Sequence, residues 1–157
     1  MKILMVCLGN ICRSPLAEGI LQFKVQEAGL GWTVDSAGTN GYHIGDAPHH
    51  LSQKVALLHG IDISCQRARR FRADDFNHYD MIYALAGDVL HEIKRTAGNQ
   101  YDTSKVQLLM DTIHPGKQID VPDPYYGEEP GYHEVFELIS NACDQIIQQF
   151  APIQRNQ

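Results

Sequence analysis

The chain has 157 residues, with 19 acidic and 13 basic side chains, and therefore a formal net charge of −6. Its 43% hydrophobic and 20% charged residues are typical of one globular domain over residues 1–157 and exclude a disordered chain. The acidic balance argues against nucleic-acid binding, and no apolar run is long enough for a signal peptide or a membrane span. The four cysteines lack the C-x-x-C spacing of a zinc site, so we expect a cytoplasmic protein with free thiols and no membrane insertion.

The predicted elements alternate between strand and helix from the first residues onward. The apolar run 3–6 predicts a buried strand. After it, Ser14 and Pro15 suit the cap and the first turn of a helix that ends near Gly29. The predicted buried face of this helix comprises Leu16, Ala17, Ile20, Leu21, Phe23 and Ala28.

The rest of the chain continues the same alternation. Further strands are predicted over residues 32–37, 80–85 and 105–110, and further helices over residues 50–59 and 88–96. The last predicted helix has its core positions at Val135, Leu138, Ile139, Ala142, Ile146 and Phe150. This order indicates an α/β fold, a parallel sheet with helices on both faces, in which ligands bind beyond the carboxyl ends of the strands. We therefore look for the chemistry in the loop after the first strand.

That loop contains a cysteine, five further residues, an arginine and a serine. A loop leading into a helix turns backbone N–H groups toward an anion, and Gly9 and Asn10 allow the required twist. Arg13 offers a planar, two-pronged donor for phosphate oxygens. The helix terminus and the arginine favour the thiolate of Cys7, and the Ser14 hydroxyl is placed to donate to it. The sequence predicts an anion site with a nucleophile at its floor, and the alternative is a buried strand cysteine before an unrelated turn.

A proton donor is expected on a neighbouring loop, because transfer of a phosphoryl group to Cys7 leaves an oxygen that needs a proton. Asp123 is the predicted donor. It stands between Pro122 and Pro124, and Pro124 favours an extended conformation that fixes the direction of the side chain. A bound dianion would favour the protonated carboxyl. The alternative is a rigid surface turn in which Asp123 makes only a local backbone bond.

The two motifs together resemble the low-molecular-weight protein tyrosine phosphatases over about residues 2–150. The resemblance rests on the segments VCLGNICRSPLAEG, SAGT and DVPDPYYG. It implies a four-stranded parallel sheet flanked by helices, hydrolysis of phosphotyrosine and aryl phosphates, and no metal or organic cofactor. Phosphotyrosine proteins are the implied partners. The family also includes members that act beside a tyrosine kinase, but no residue of this sequence indicates whether this protein has such a partner.

The resemblance also implies a role for individual residues. Cys7 would be the nucleophile that forms a phosphocysteine, Arg13 the clamp on the phosphate, and Asp123 the acid and then the base for water. Asn10 would hold the loop in shape, with Ser36 hydrogen-bonded beneath it. The phosphate and the phenyl ring would be bound in a slot formed, besides Asn10, by Leu8, Gly9, Ile11, Cys12, Ser14, Tyr42 and Tyr125.

Three positions depart from the family pattern. His49 and His50 stand where an Asp-x-Arg run is frequent, Gln66 where a histidine is common, and Ala86 where an aspartate is common after the third strand. These are expected to be supporting positions, so the departures bear on loop rigidity and rate and leave the reaction type unchanged.

Three other functions remain as alternatives. An arsenate reductase with the same cradle needs two further cysteines near the third strand, and residues 83–98 contain none. A phosphoarginine phosphatase goes with a small threonine at the position of Ile11, whose branched side chain favours a flat ring. A phosphoprotein-binding module or phosphocarrier would not need both Arg13 and Asp123.

The remaining reactive side chains leave further alternatives open. Cys12 either forms a reversible disulfide with Cys7 or fills space in the loop. Cys65 and Cys143 are predicted to be packing residues, and the arginine-rich stretch 67–72 is predicted to be solvated. Tyr125 and Tyr126 are interpreted as walls of the slot, and regulation through phosphorylation by a kinase is the alternative. A metal site is the less favoured interpretation of a group of loop residues, namely His43, His49, His50 and Asp46.

Overall fold

The computed structural model describes residues 1–151 and contains a four-stranded parallel sheet in the order β2-β1-β3-β4. The strands are β1 (Lys2–Cys7), β2 (Thr33–Gly38), β3 (Met81–Ala84) and β4 (Val106–Leu108). The helices are α1 (Arg13–Glu27), α2 (His50–Leu58), α3 (Asp75–His78), α4 (Gly87–Ala97) and α5 (Glu129–Phe150). The predicted α/β class is confirmed, whereas the prediction of one domain over residues 1–157 includes residues 152–157, which lie outside the described part.

The apolar run in β1 is continuous because both of its faces are covered. Successive side chains point to opposite sides of the sheet, so Ile3 and Met5 join the core formed with α1, α2 and α5. Leu4 and Val6 join the second core, which includes residues of α3 and α4. All four side chains are fully buried.

The first helix differs from its prediction in its cap and its buried face. Cys12 occupies the N-cap position, and Ser14 does not cap the helix because its hydroxyl contacts Cys7 instead. Phe23 and Ala28 are exposed, so their prediction as core residues is wrong. Val25 is buried in their place, one turn after Leu21 and on the same face of the helix.

Other predictions also need correction. The fourth strand ends at Leu108 because the chain turns into a short 3₁₀ helix at Leu109–Thr112, and a second such turn lies at Gly98–Gln100. Cys65 is exposed, which contradicts its prediction as a packing residue, whereas Cys143 is buried as predicted. In α5, Leu138 and Phe150 pack only partly buried against the core, and the helix α3 was not anticipated.

The sheet order places the loop after β1 at the centre of the carboxyl edge. Strand β1 pairs with β2 on one side and with β3 on the other, so the connections diverge around it. Within residues 1–151, no helix is both long and apolar enough to cross a membrane.

Candidate active site

The loop between β1 and α1 is fixed from outside through its carbonyl groups. The Asn40 N–H donates to Leu8 O at 3.0 Å, and the His49 N–H donates to Ile11 O at 2.8 Å. In a trans peptide the N–H points opposite to the C=O, so the N–H groups that follow these carbonyls face the inside of the loop. The N-terminus of α1 adds positive potential there, which makes the inside of the loop suitable for an anion.

Asn10 joins this loop to three other segments of the chain. Its φ of 59° is in the left-handed region, which asparagine tolerates better than most residues. Its Nδ2 donates to Ser14 Oγ at 2.7 Å and to Ser36 Oγ at 2.9 Å. Its Oδ1 accepts the backbone N–H of Arg69 at 3.0 Å. The loop is therefore bonded to α1, to β2 and to the segment after α2.

The neighbouring strand leaves no room behind the loop. A Cβ added to Gly38, the last residue of β2, would lie 2.9 Å from Leu8 O and 3.0 Å from Asn10 N. Both atoms belong to the backbone and cannot rotate away, so a glycine is required for this close approach.

Cys7 lies at the base of the loop and is buried, with 3% of the residue exposed. Its sulfur is 2.9 Å from Ser14 Oγ. Ser14 Oγ accepts a hydrogen bond from Asn10, and its own hydrogen can be donated either to the sulfur or to Ala37 O, which is 3.4 Å away. A hydroxyl donor stabilises a thiolate, the nucleophilic form of cysteine.

The loop opens into a cavity of about 210 Å³. Most of the side chains predicted for the slot line it, whereas those of Asn10 and Ser14 bond behind the loop and neither residue is among the lining ones. Tyr126 lines the cavity, as its interpretation as a slot wall predicts, whereas Asn40 was not predicted there and His43 was considered only as a metal ligand. The lining residues are Cys7, Leu8, Gly9, Ile11, Cys12, Arg13, Asn40, Tyr42, His43, Asp123, Tyr125 and Tyr126.

The missed residues come from loops that only the fold brings together. Asn40 and His43 follow β2, whose carboxyl end lies beside that of β1. His43 is so close that a Cβ at Gly9 would be 3.1 Å from its Cδ2. The signal available in the sequence was their place directly after a strand, at the edge where ligands bind.

Arg13 connects the phosphate loop to the loop that carries Asp123. The arginine is 4% exposed, and its Nη1 donates to Val121 O at 3.0 Å. Its Nη2 lies 3.6 Å from Asp123 Oδ2. The positive charge that would hold a phosphate therefore lies beside the carboxyl group that would give a proton to the leaving oxygen.

The start of the Asp123 loop is pinned to the end of β3. Asp120 Oδ1 accepts the backbone N–H of Gly87 at 2.8 Å, at the first residue of α4. Ala86 occupies the N-cap position of that helix and has no side chain for this task, so Asp120 supplies the missing acceptor. The Val121 N–H donates to Leu85 O at 2.8 Å.

Asp123 itself is 36% exposed at its side chain. Its Oδ1 accepts the backbone N–H of Tyr125 at 3.1 Å, so the local turn of the alternative interpretation is present. Asp123 also lines the cavity, with its carboxyl group beside Arg13. A residue whose one role was to stabilise the local turn would have no reason to lie there.

His49, one of the departures from the family pattern, supports the aromatic side of the cavity. Its Nδ1 accepts the backbone N–H of Leu51 and caps α2, while its ring stacks on Tyr132 at 5.3 Å and meets Tyr125 edge-on at 5.9 Å. Burial, aided by the neighbouring His50, lowers the pKa of His49. The neutral ring is the form that can accept at Nδ1.

Two further side chains stand close to the loop without entering the chemistry described so far. Burial raises the pKa of the Cys12 thiol to about 12, and its sulfur is 3.8 Å from the Tyr132 hydroxyl. Gln66 Nε2 donates to Pro15 O at 3.1 Å, at the start of α1. Among the described residues, no group of three or more histidine, cysteine, aspartate or glutamate side chains is arranged to hold a metal ion.

Comparisons with known proteins cover nearly the whole chain. A family model described as low molecular weight phosphotyrosine protein phosphatase matches residues 2–156. The low molecular weight protein-tyrosine-phosphatase of Streptomyces coelicolor is 39% identical over 145 residues, 90% of this chain and 88% of that protein. The crystal structure of a protein tyrosine phosphatase from Entamoeba histolytica matches with a TM-score of 0.89 at 35% identity, over 98% of this chain and 99% of that one. A Drosophila arginine phosphatase structure matches with a TM-score of 0.89 at 32% identity, over 96% and 98% of the two chains.

Proposed function

The chain belongs to the low molecular weight phosphotyrosine protein phosphatase family, and on this premise we propose that it hydrolyses phosphotyrosine in proteins, and aryl phosphates, through a phosphocysteine on Cys7. One observation carries the proposal. A buried cysteine, a buried arginine and an aspartate meet in a single cavity, with Arg13 Nη2 3.6 Å from Asp123 Oδ2.

In the first step, the Cys7 thiolate attacks phosphorus, so that an S–P bond forms while the bond from phosphorus to the phenolic oxygen breaks. Arg13 and the inward N–H groups hold the phosphoryl oxygens, whose charge must be stabilised as the phosphoryl group moves. Asp123 gives its proton to the departing phenolic oxygen. The products are tyrosine and a phosphocysteine.

In the second step, water attacks the phosphorus of the phosphocysteine. The Asp123 carboxylate takes a proton from this water, the S–P bond breaks, and inorganic phosphate leaves with Cys7 restored as a thiolate. The Ser14 hydroxyl, 2.9 Å from the sulfur, stabilises the thiolate both before the attack and as leaving group.

The substrate preference is proposed from the lining of the cavity. Ile11 places a branched apolar side chain in the wall, and Tyr42 and Tyr125 add aromatic surface that suits a flat phenyl ring. Phosphoarginine is the second candidate substrate, because the Drosophila arginine phosphatase shares the fold and the fold alone does not separate the two. We expect a higher kcat/KM for phosphotyrosine than for phosphoarginine peptides of the same sequence.

The proposal is tested by turnover with chelator present and no added metal. Wild-type protein should hydrolyse a phosphotyrosine peptide and para-nitrophenyl phosphate, and Cys7→Ser should reduce kcat by at least about 10³-fold on both. Cys65→Ser is the matched control, since that thiol is exposed and does not line the cavity, so the substitution should leave kcat unchanged. Turnover that survives Cys7→Ser would refute the proposal, and a preference for phosphoarginine would replace its substrate.

Two finer features belong to the same proposal. All four cysteines are free thiols, which supports a reducing, cytoplasmic location that fractionation of cells can test. The reaction also requires a tyrosine kinase to supply its substrate, and capture on Asp123→Ala protein would identify the phosphoproteins involved.

The two interpretations of Cys12 lead to different products after peroxide treatment. If Cys12 protects Cys7 from over-oxidation, the two residues should form a disulfide. If Cys12 only fills space in the loop, Cys7 should oxidise to the sulfinic or sulfonic acid. Mass spectrometry of the treated protein distinguishes these outcomes.

A further inference from the structure

The exposed side chain of Arg70 carries a charge with which no carboxylate within residues 1–151 forms an ion pair. Other arginines are held in place. Arg13, Arg69 and Arg95 each contact a carboxylate, and Arg67 donates to two backbone carbonyl groups. The guanidinium group of Arg70 is therefore available to a molecule that binds beside it.

The fold places Arg70 next to the mouth of the catalytic cavity. Its backbone forms a parallel bridge with Gly38, the last residue of β2, at the edge of the sheet where the cavity lies. Its side chain packs against Gly41, because a Cβ on that glycine would be 3.9 Å from Arg70 Cδ. The two chain neighbours of this glycine, Asn40 and Tyr42, both line the cavity. The free charge therefore lies directly outside the lining residues.

A protein substrate must cross this part of the surface. The phosphate loop closes the base of the cavity, so the phosphotyrosine side chain enters from the mouth and the backbone of the substrate stays outside. An extended chain advances about 3.3 Å per residue. The first one or two residues on either side of the phosphotyrosine therefore lie over the edge of the cavity, within reach of a long side chain beside Tyr42.

The acidic groups in this region already have partners of their own. The bond to Arg95 at 2.6 Å is the largest cause that lowers the pKa of Glu92, and Arg70 adds to it only as a more distant charge. In the loop after β2, Asp46 Oδ2 lies 3.3 Å from His43 Nδ1. The chain as a whole carries a net charge of −6 and would repel an acidic segment, so attraction of such a segment requires a local cation.

We propose that Arg70 is a specificity-determining residue, which favours substrates with an aspartate or glutamate one or two residues away from the phosphotyrosine. The carboxylate of the substrate pairs with the free guanidinium group while the phosphotyrosine occupies the cavity. The pairing acts on binding of the flanking residues, so it adds to kcat/KM on proteins and peptides. This inference rests on the proposed function, because it requires phosphotyrosine to enter the cavity.

The test measures kcat/KM at low ionic strength on three phosphotyrosine peptides of equal length. One has glutamine at the two positions on each side of the phosphotyrosine, and the others have glutamate at the two preceding or the two following positions. For wild-type protein, kcat/KM on the better glutamate peptide should exceed that on the glutamine peptide by about two- to fivefold, as for an exposed ion pair. This ratio should fall to one in Arg70→Gln, and for the wild type in about 0.5 M salt. Effects on the chemical step cancel in the ratio.

Lys94→Gln is the matched control, because it removes the same charge in the last turn of α4, where the ammonium group lies 5.9 Å from the Tyr101 ring. Its ratio should equal that of the wild type. The inference is overturned if the wild type shows no preference for glutamate, if the preference survives in Arg70→Gln, or if Lys94→Gln loses it equally. Failure to hydrolyse any of the three peptides would instead refute the proposed function, so the two failures are distinguishable.

Reversal of the charge gives a second test that depends on a gain of preference. In Arg70→Glu, a peptide with lysine at the favoured positions should have a higher kcat/KM than the glutamine peptide, and the glutamate peptide should have a lower one. The wild type should rank the same three peptides in the opposite order. An identical ranking by the two proteins would contradict a direct contact between residue 70 and the substrate.

Discussion

The floor and the rim of the same cavity are built in opposite ways. The floor, which we define as the lining residues Cys7 and Arg13 together with Asn10 and Ser14 directly behind them, is at most 4% exposed, and hydrogen bonds hold its side chains. The rim, defined as Tyr42, Tyr125 and Tyr126, is 86%, 40% and 92% exposed, respectively. A phosphate group is the same in every substrate and can be met by fixed donors, whereas the attached protein varies. We therefore expect substitutions in the floor to affect kcat on every substrate, and substitutions in the rim to affect mainly KM.

The largest effect should come from the arginine of the floor. Arg13→Lys keeps the charge but loses the planar pair of donors, so kcat should fall about 10²- to 10³-fold on phosphopeptide and aryl phosphate alike. Arg67→Lys, an exposed arginine, is the control and should leave kcat unchanged. A loss confined to KM would mean that the floor binds phosphate without stabilising the transition state.

The support behind the floor should be the next most sensitive point. Gly38→Ala would place a Cβ 2.9 Å from Leu8 O, so we expect a loss of about 1–3 kcal/mol in the free energy of unfolding and a lower kcat. Gly31→Ala is a control with open space around its Cβ. Denaturant titration of both variants measures the difference, and equal stabilities would show that the loop has room to move.

Glu18, which bonds to Ser36 behind the floor, should also give the protein a pH-dependent stability, because burial raises the pKa of its carboxyl group. Its pKa of about 7 in the folded state lies above the ordinary value of a glutamate, so the folded protein binds more protons than the unfolded one between about pH 4.5 and about pH 7. Stability is therefore lost as the pH rises through this window. Thermal unfolding of Glu18→Gln, which stays neutral, should show its Tm rising relative to that of the wild type across the window and levelling off above it. A constant difference would contradict this account.

The smallest effect is expected at the rim. Tyr126→Ala removes a side chain that is 92% exposed, so Tm and the kcat on para-nitrophenyl phosphate should not change. KM for phosphopeptides should change by no more than about threefold. A fall in kcat on the small substrate would show that the rim takes part in the chemistry, and the distinction between the two regions would fail.

Local sequence signals predicted what depends on local structure. The apolar strand 3–6, the turn-forming Asn10 and the helix start at Pro15 together indicated an anion-binding loop, and the structure places Cys7 and Arg13 in one cavity there. The strand and helix order also indicated the sheet edge at which to look.

Features that depend on contacts between residues far apart in the sequence could not be predicted from local sequence signals. Ser14 has the composition of a helix cap, yet its hydroxyl is used by Cys7 and Asn10, and only the folded loop brings these groups together. The arginine-rich stretch 67–72 is mostly solvated as predicted, but Arg69 is half-buried and anchors Asn10 through its backbone. Glu18 reads as an ordinary helix residue until β2 places Ser36 beside it.

The central claim is that phosphate passes through Cys7, and trapping the intermediate tests it most directly. With para-nitrophenyl phosphate the leaving group needs no proton, so Asp123→Ala should still form the phosphocysteine but hydrolyse it slowly, because the base for water is gone. Rapid mixing should release one equivalent of nitrophenol per protein in a burst, and mass spectrometry of the denatured protein should locate one phosphate on Cys7. A phosphate on another residue, or turnover with neither a burst nor an adduct, would contradict the account.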